Sequence, residues 1–556
     1  MNKQRRQILM GGSVASAVAA LGLPLAFAGE RNEPGEGVDV HIELRAEPDL
    51  VAIRTGSPTR VWRYKGKLLR GDPGALGASA GGYLGPVIRV RHGQRVRIDL
   101  INGLPESTII HWHGLHVPET MDGHPRFAIG PGGRYVYEFT VVNRAGSYWF
   151  HPHPHGRTGK QVYYGMAGLF QVSDAEEDAL GLPTGAQDLS LVLQDRSFDN
   201  ENQLMYLSDR LGDSPSEGST QGGMMGGRMG GMMGGGMMNR SGAGTGRTGG
   251  MAAMMGMFGD EILVNGRPGA TLDVAPRAYR LRLLNASNSR IYKLAWHDST
   301  PLTVIGTDGG LLAAPLQRKY VMLAPAERLD LWVDFSRWPT ESRLTLQSLA
   351  FDSGMGGMGG MGGMGGMMGK MMGGSGALAD GAAFPVLSVR VQGVAQGAVQ
   401  LPPQRLAQLP VADPSIAVNA GSAKVFDLTM GMMKWGINGK SFEMLETTAL
   451  ETVKLGTQEI WEFRNDSGGM MRMAHSMHVH GQQFRVLNRS YGSNGGVHPE
   501  SAGFVDEGWK DTVLVLPGER VRILKRFDDY TGLFLYHCHM LEHEDAGLMR
   551  NYRVVA

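Results

Sequence analysis

Apolar and polar residues alternate with a period of two along much of the chain. Val87-Ile88-Arg89-Val90-Arg91, Arg95-Val96-Arg97-Ile98-Asp99-Leu100, Arg280-Leu281-Arg282-Leu283-Leu284 and Glu519-Arg520-Val521-Arg522-Ile523-Leu524 are examples. Period two sends successive side chains to opposite faces, so each run predicts a half-buried strand. Gly, Pro and Asn interrupt the runs at short intervals, and helical periodicity is scarce. The prediction is an all-β protein of antiparallel sandwiches.

The runs fall into three groups, predicting sandwiches at about 38–173, 186–394 and 422–556. Between the last two, 395–421 carries Pro402, Pro403, Pro410 and Pro414 and reads as an extended linker. Two inserts break the second group. They are Met/Gly tracts at 221–257 and 354–374, the latter repeating Met-Gly-Gly almost without fault. Period three matches neither a helix nor a strand face, so both read as mobile surface loops.

Composition adds three points. With 54 Lys and Arg against 53 Asp and Glu, the chain lacks the field that nucleic acid or an acidic membrane surface would require. Residues 1–28 read as a twin-arginine signal peptide. Arg5-Arg6 opens it, a modest apolar run follows, and it ends in Ala26-Phe27-Ala28. The run is broken by Gly22 and Pro24, and no other stretch is long and apolar enough to span a bilayer, so the expectation is a periplasmic protein. An exported protein normally pairs its cysteines, yet here Cys538 stands alone, which flags a metal ligand or an intermolecular bridge.

Its neighbours decide between them. Four segments carry histidine at alternate positions: His111/His113, His151/His153, His478/His480 and His537/His539. In a strand each pair presents two imidazoles on one face, and eight converging neutral imidazoles suit copper better than zinc. Cys538 lies between His537 and His539, so its sulfur leaves by the opposite face. His475 has opposite parity to His478 and His480, and His543 follows the cysteine by five residues. One thiolate and two imidazoles make the trigonal set of a blue copper. Two back-to-back metal sites joined through Cys538 are therefore predicted. Spacing alone leaves open whether His151/His153 or His153/His155 is the true pair; the remaining histidines read as ordinary surface or core residues.

These motifs resemble the four copper signatures of the three-domain multicopper oxidases: His111-Trp112-His113-Gly114, Trp149-Phe150-His151-Pro152-His153, His475-x-x-His478-x-His480 and His537-Cys538-His539-x-x-x-His543. Within that family the chain most resembles the bacterial periplasmic copper efflux oxidases of the CueO type. The likeness extends to the leader, His155–Gln161, Thr307–Leu312 and Gly508–Val513. It implies three cupredoxin-like Greek-key domains and four copper ions. By the resemblance, His475, Cys538 and His543 hold the type 1 copper; His111 and His478 hold the type 2 copper. His113, His151, His153, His480, His537 and His539 hold the type 3 pair, which leaves His155 a non-ligand. Asp122 and Glu544 fall where similar enzymes keep carboxylates beside the cluster, to supply protons or to hydrogen-bond a ligand.

Two departures from the family pattern stand out. Where the family usually has an axial methionine there is Leu548, with Met549 one further on. A non-coordinating Leu548 predicts a comparatively high type 1 potential, unless a local shift brings in Met549. The family's Met-rich insert lies in the third domain, whereas here the tracts interrupt the second. Only Met430–Met433 and Met470–Met473 lie in the third, and Met471 replaces an expected acid. Met473 is the best-placed residue for a substrate Cu(I). Thioethers favour Cu(I), so the expected activity is oxidation of Cu(I), of phenols, or of both, with dioxygen reduced to water. Copper tolerance is the expected purpose and a monomer the expected state. The alternatives are a laccase acting mainly on phenols and aromatic amines, and a copper-binding protein without turnover.

Overall fold

The computed structural model describes residues 37–556 apart from 79–81, 208–254, 354–377, 395–398, 432–433 and 467–472. The leader and nearly all of both Met/Gly tracts lie outside the described residues, as do Met432, Met433 and Met470–Arg472.

Strands dominate the described residues, with α-helix confined to Thr158–Tyr163, Ala175–Asp178 and Leu541–Asp545. The strands form six sheets, two in each third of the chain. In the first third, the strand order Thr59–Arg70, Val40–Val51, Arg95–Asn102, Arg134–Thr140 makes one sheet. Its partner ends in Gly168–Ser173, Gly146–Pro152, Ile110–His113. A seven-stranded and a five-stranded sheet follow between Asp188 and Val391. In the last third, one sheet runs Thr452–Lys454, Met549–Val555, Gly532–Cys538, His475–Val479, Thr512–Val515. Parallel pairings among antiparallel neighbours, as of Val40–Val51 with Arg95–Asn102, show connections that cross from sheet to sheet. Among the described residues no helix is long and apolar enough to cross a membrane.

Each pair of sheets encloses its own apolar core, around Trp112 and Phe150, Leu281 and Leu331, and Trp461 and Phe463. A further apolar cluster, including Val87, Trp149, Leu169, Val192, Leu263 and Leu284, joins the first sandwich to the second.

The polar faces depart from the half-buried expectation. Arg280 and Arg282 alternate with leucines, yet they are only 1% and 7% exposed. Arg280 pairs with Asp330 at 2.5 Å and Arg282 with Asp188 at 2.6 Å. The second sandwich buries its outer face against the first, and a buried guanidinium persists only when paired and hydrogen-bonded. Nor is the 395–421 segment a free tether in its described part. Leu406 is buried against the second core, and its amide donates to Ala313 at 3.0 Å.

Candidate metal centre

Strand register brings the histidines into line. Ile110–His113 pairs antiparallel with Gly146–Pro152, setting His111 opposite His151. His475–Val479 pairs antiparallel with Gly532–Cys538, setting His478 opposite His537 and Met477 opposite Cys538. His475 has the parity of Met477, so it shares the face of Cys538, while His478 and His537 take the other.

Only His111/His113 lies wholly within a strand. The other three strands end at Pro152, Val479 and Cys538, one residue before His153, His480 and His539. The ladder runs on through these residues, whose amides donate to Ile109 O, Leu535 O and Ser476 O at 2.9, 3.0 and 2.5 Å, so period two still carries their rings to the shared face.

All eight rings are buried to 1% exposure or less. Their inner nitrogens face one another in three groups. His111 Nε2 lies 3.3 Å from His478 Nε2. His151 Nε2 lies 3.4 Å from His113 Nδ1 and 3.3 Å from His539 Nε2. His537 Nε2 lies 3.3 Å from His153 Nε2 and 3.1 Å from His480 Nε2. His155 belongs to none of these groups; it is exposed and lies against Phe442, ring centroids 4.9 Å apart.

The donor set can be tested for copper by asking where the ring protons are. The Nδ1–H of His111 and of His478 donates to the backbone oxygens of Asp122 and Asp511, at 2.7 and 2.8 Å. The Nδ1–H of His480 donates to Asp122 Oδ2 at 2.7 Å, and that of His151 to Pro152 O at 2.9 Å. Carbonyls and carboxylates only accept, so the proton sits on the outer nitrogen and the inner one carries a lone pair. Lone pairs facing each other at such distances repel unless a cation lies among them. Burial and the neighbouring rings hold His113, His151, His478 and His480 well below the ordinary histidine value, and His153 and His539 at about 3. Neutral imidazoles in this number fit copper.

The second group is smaller. Cys538 Sγ lies 3.6 Å from His475 Nδ1 and 3.7 Å from His543 Nδ1, all three buried. Burial pushes the thiol up to about 12, so a metal here must displace its proton. Trp435, only 3% exposed, covers both rings at centroid distances of 5.0 and 4.6 Å. Leu548 is buried in the same apolar cluster as Cys538, together with Met473, Met477 and Met540. Met549 lies opposite His537 in the next strand, in a separate cluster with Phe442 and Leu535. Its alternate parity turns it away from the thiol.

One short helix, Leu541–Asp545, serves several neighbours because successive residues point about 100° apart. His543 faces Cys538. Glu544 Oε2 lies 3.0 Å from His537 Nδ1, with Oε1 3.6 Å from His153 Nε2. Asp545 accepts from the amides of Thr158 and Gly159 at 3.0 and 2.9 Å. Glu542 accepts from Tyr206, Asn288, Ser289 and the Met257 amide, at 2.7 to 3.0 Å. Asp122 completes the site from the first sandwich: one carboxylate oxygen takes His480, and its buried Oδ1 has no hydrogen-bond partner among the described residues. Gly123 follows at φ +83°, where a Cβ would lie 2.1 Å from Ile110 O, so this turn can press on His111 only with glycine.

Asp511 and Glu542 were not singled out from spacing. The partners of each are distant in sequence, and only a place within a marked segment, Gly508–Val513 or His537–His543, hinted at a role.

A family model described as multicopper oxidase matches residues 65–177, and a second with the same description matches 417–556. The chain is similar to the crystal structure of McoA multicopper oxidase from Aquifex aeolicus, with 31% identity, TM-score 0.70, and 93% of this chain and 96% of that one covered. A laccase-like multicopper oxidase, CueO, from Ochrobactrum sp. has 27% identity and TM-score 0.69, with 93% and 97% covered. The laccase of Bacillus subtilis is 29% identical, with 89% of this chain and 90% of the laccase covered. Cell division protein FtsP of Escherichia coli is 28% identical, with 98% of each covered.

Proposed function

Since the chain belongs to the multicopper oxidases, oxidoreductases with dioxygen as acceptor, we propose that its principal reductant is Cu(I), oxidised in the periplasm for copper tolerance. His475, Cys538 and His543 hold the type 1 copper in this reading, with Leu548 non-coordinating. His111 and His478 hold the type 2 copper. His113, His151 and His539 hold one type 3 copper, and His153, His480 and His537 the other. Four bound coppers supply one-electron acceptance at the thiolate and dioxygen reduction at the cluster.

The chain's own part is connection and protons. Cys538 is joined by single peptide units to His537 and His539, so the two sites share a bonded path that a mobile loop could not hold at fixed length. Reducing dioxygen to water consumes protons, which rings with their protons turned outward, as in His111, His151, His478 and His480, do not provide. Asp122 and Glu544 are carboxylates within reach of the ligand rings His480 and His537, and we assign them that task.

One observation carries the Cu(I) reading. Tyr206 and Met257, the described flanks of the first Met/Gly tract, both bond to Glu542, the residue before His543. Leu378 and Ala379, just after the second tract, accept from Arg290, which also bonds Gly259. The tracts interrupt the second sandwich in sequence, yet Met255 and Phe351 beside them pack against the third core, the one that contains Cys538. Buried Met473 lies in the same cluster as Cys538 and supports a substrate Cu(I) site there. Residues 1–28 support export by the twin-arginine route.

The laccase relative favours a second reading, oxidation of phenols at the same thiolate-bound copper. Similarity to FtsP favours a third, a protein without turnover; all ten histidines and Cys538 are retained and gathered here, which argues for catalysis. Oxygen consumption by the fully copper-loaded protein tests all three, with Cu(I) and with a phenol, before and after deletion of both tracts. Cu(I) turnover that exceeds phenol turnover and falls on deletion is expected. Unchanged Cu(I) turnover after deletion would remove the main support for the first reading, and no oxygen uptake with either donor would leave the third.

A further inference from the structure

A buried polar junction lies directly behind two of the cluster histidines. Asp511, fully buried, accepts from His113 Nε2 at 3.0 Å with Oδ1 and from the Thr512 hydroxyl at 2.9 Å. Its backbone oxygen accepts from His478 Nδ1 at 2.8 Å. The Arg328 guanidinium clamps the same carboxylate, Nη1 to Oδ1 at 2.7 Å and Nη2 to Oδ2 at 2.5 Å. Arg328 is 1% exposed and comes from the second sandwich. Its Nε also donates to Ser147 O of the first at 3.0 Å, and its Nη2 to Asp308 O at 3.0 Å. Gly114 leaves room for this: at φ +86°, a Cβ there would lie 2.4 Å from Asp511 Oδ2 and 2.7 Å from Arg328 Nη2.

His113 is the one cluster ring whose Nδ1, not Nε2, faces its neighbour, at 3.4 Å from His151. A carboxylate accepts and cannot donate, so the bond from Nε2 to Asp511 requires the proton there and leaves the Nδ1 lone pair inward. We infer that Asp511, clamped by Arg328, is a positioning residue that selects the ligating nitrogen of His113 and orients His478, locking the copper cluster to the junction of all three sandwiches. The inference rests on the ligand assignment proposed above.

The test is copper titration of the apo-protein, for wild type, Asp511→Asn and Thr512→Val. It reads copper number, the blue absorption of the type 1 site, the near-ultraviolet band of the type 3 pair and the type 2 electron paramagnetic resonance signal. Outer partners of metal-bound histidines typically contribute roughly 10- to 100-fold to metal affinity. Asp511→Asn is expected to weaken copper binding at the cluster by that factor while leaving the blue absorption unchanged. Thr512→Val, nearly the same shape, should shift the same signals less. Wild-type cluster signals in Asp511→Asn would overturn the inference. Loss of the blue absorption in step with the cluster would show a role in folding alone and overturn it too, and Thr512→Val with all signals unchanged would count against it even if Asp511→Asn failed to fold. A wild type without type 2 and type 3 signals would sink the ligand assignment instead.

Discussion

The hydroxyl of Tyr206 donates to Glu542 Oε1 at 2.9 Å, linking the edge of a second-sandwich insert to the helical turn that carries His543. A hydrogen bond to a carboxylate contributes about 1.5–3 kcal/mol. Tyr206→Phe removes this one and leaves the ring. If the flank guides Cu(I) to the thiolate site, kcat/KM for Cu(I) falls by up to roughly tenfold. Phenol turnover and the blue absorption stay at wild-type values. Equal loss with both donors would assign the bond to stability alone.

Leu548 occupies the core beside Cys538 without a donor atom. Leu548→Met conserves volume, so it should cost less than about 1.5 kcal/mol of stability. At a bound type 1 copper, a further donor where Leu548 offers none would stabilise the more electron-demanding Cu(II) and lower the potential. Redox titration of the blue absorption checks this; a potential that rises or stays put contradicts it.

Asp122 touches His480 and keeps one buried oxygen without a hydrogen-bond partner among the described residues. Asp122→Asn preserves shape and removes proton uptake. Reoxidation of the reduced enzyme by dioxygen should slow by roughly 10²- to 10⁴-fold. Anaerobic reduction of the blue copper should be unaffected. Stopped-flow measurement separates the two half-reactions, and a defect confined to reduction would refute the assignment.

Lys525 is fully buried, its Nζ donating to the Gln482 carbonyl, and burial lowers it from 10.5 to about 7. Between those values the unfolded chain holds a proton that the folded chain has released. Stability from this group is therefore complete above about 10.5 and is lost as pH falls toward 7. Lys525→Met should flatten that part of the profile, by up to about 1.4 kcal/mol per pH unit. Thermal unfolding of both proteins between pH 7 and pH 10, compared as a difference, tests this. Parallel profiles would contradict it.

The opposite exits of Cys538 and its flanking histidines could be read directly from residue order, because strand parity is a property of the backbone. The same reasoning exposed the alternating strands, whereas the odd placement of Leu548 showed only against the family resemblance. Period two also carries His153, His480 and His539 to the cluster face, since the ladder hydrogen bonds run one residue past the regular strands. Other things escaped this reasoning. Alternation at Arg280 and Arg282 predicts a half-buried strand, and the contacts that bury the arginine face come from elsewhere in the chain. Residue order leaves Met549 as a rival to Leu548, and strand pairing sets it opposite His537.

Residue order by itself determined which side chains could be ligands and which way each leaves its own strand. Tertiary structure decided which of them meet: His111 with His478, His153 with His537, Tyr206 with Glu542, Asp511 with Arg328. The first kind of information is carried by bond geometry over a few residues. The second depends on how three separately packed cores dock, and the residues that join them are hundreds of positions apart, where no local pattern can mark them.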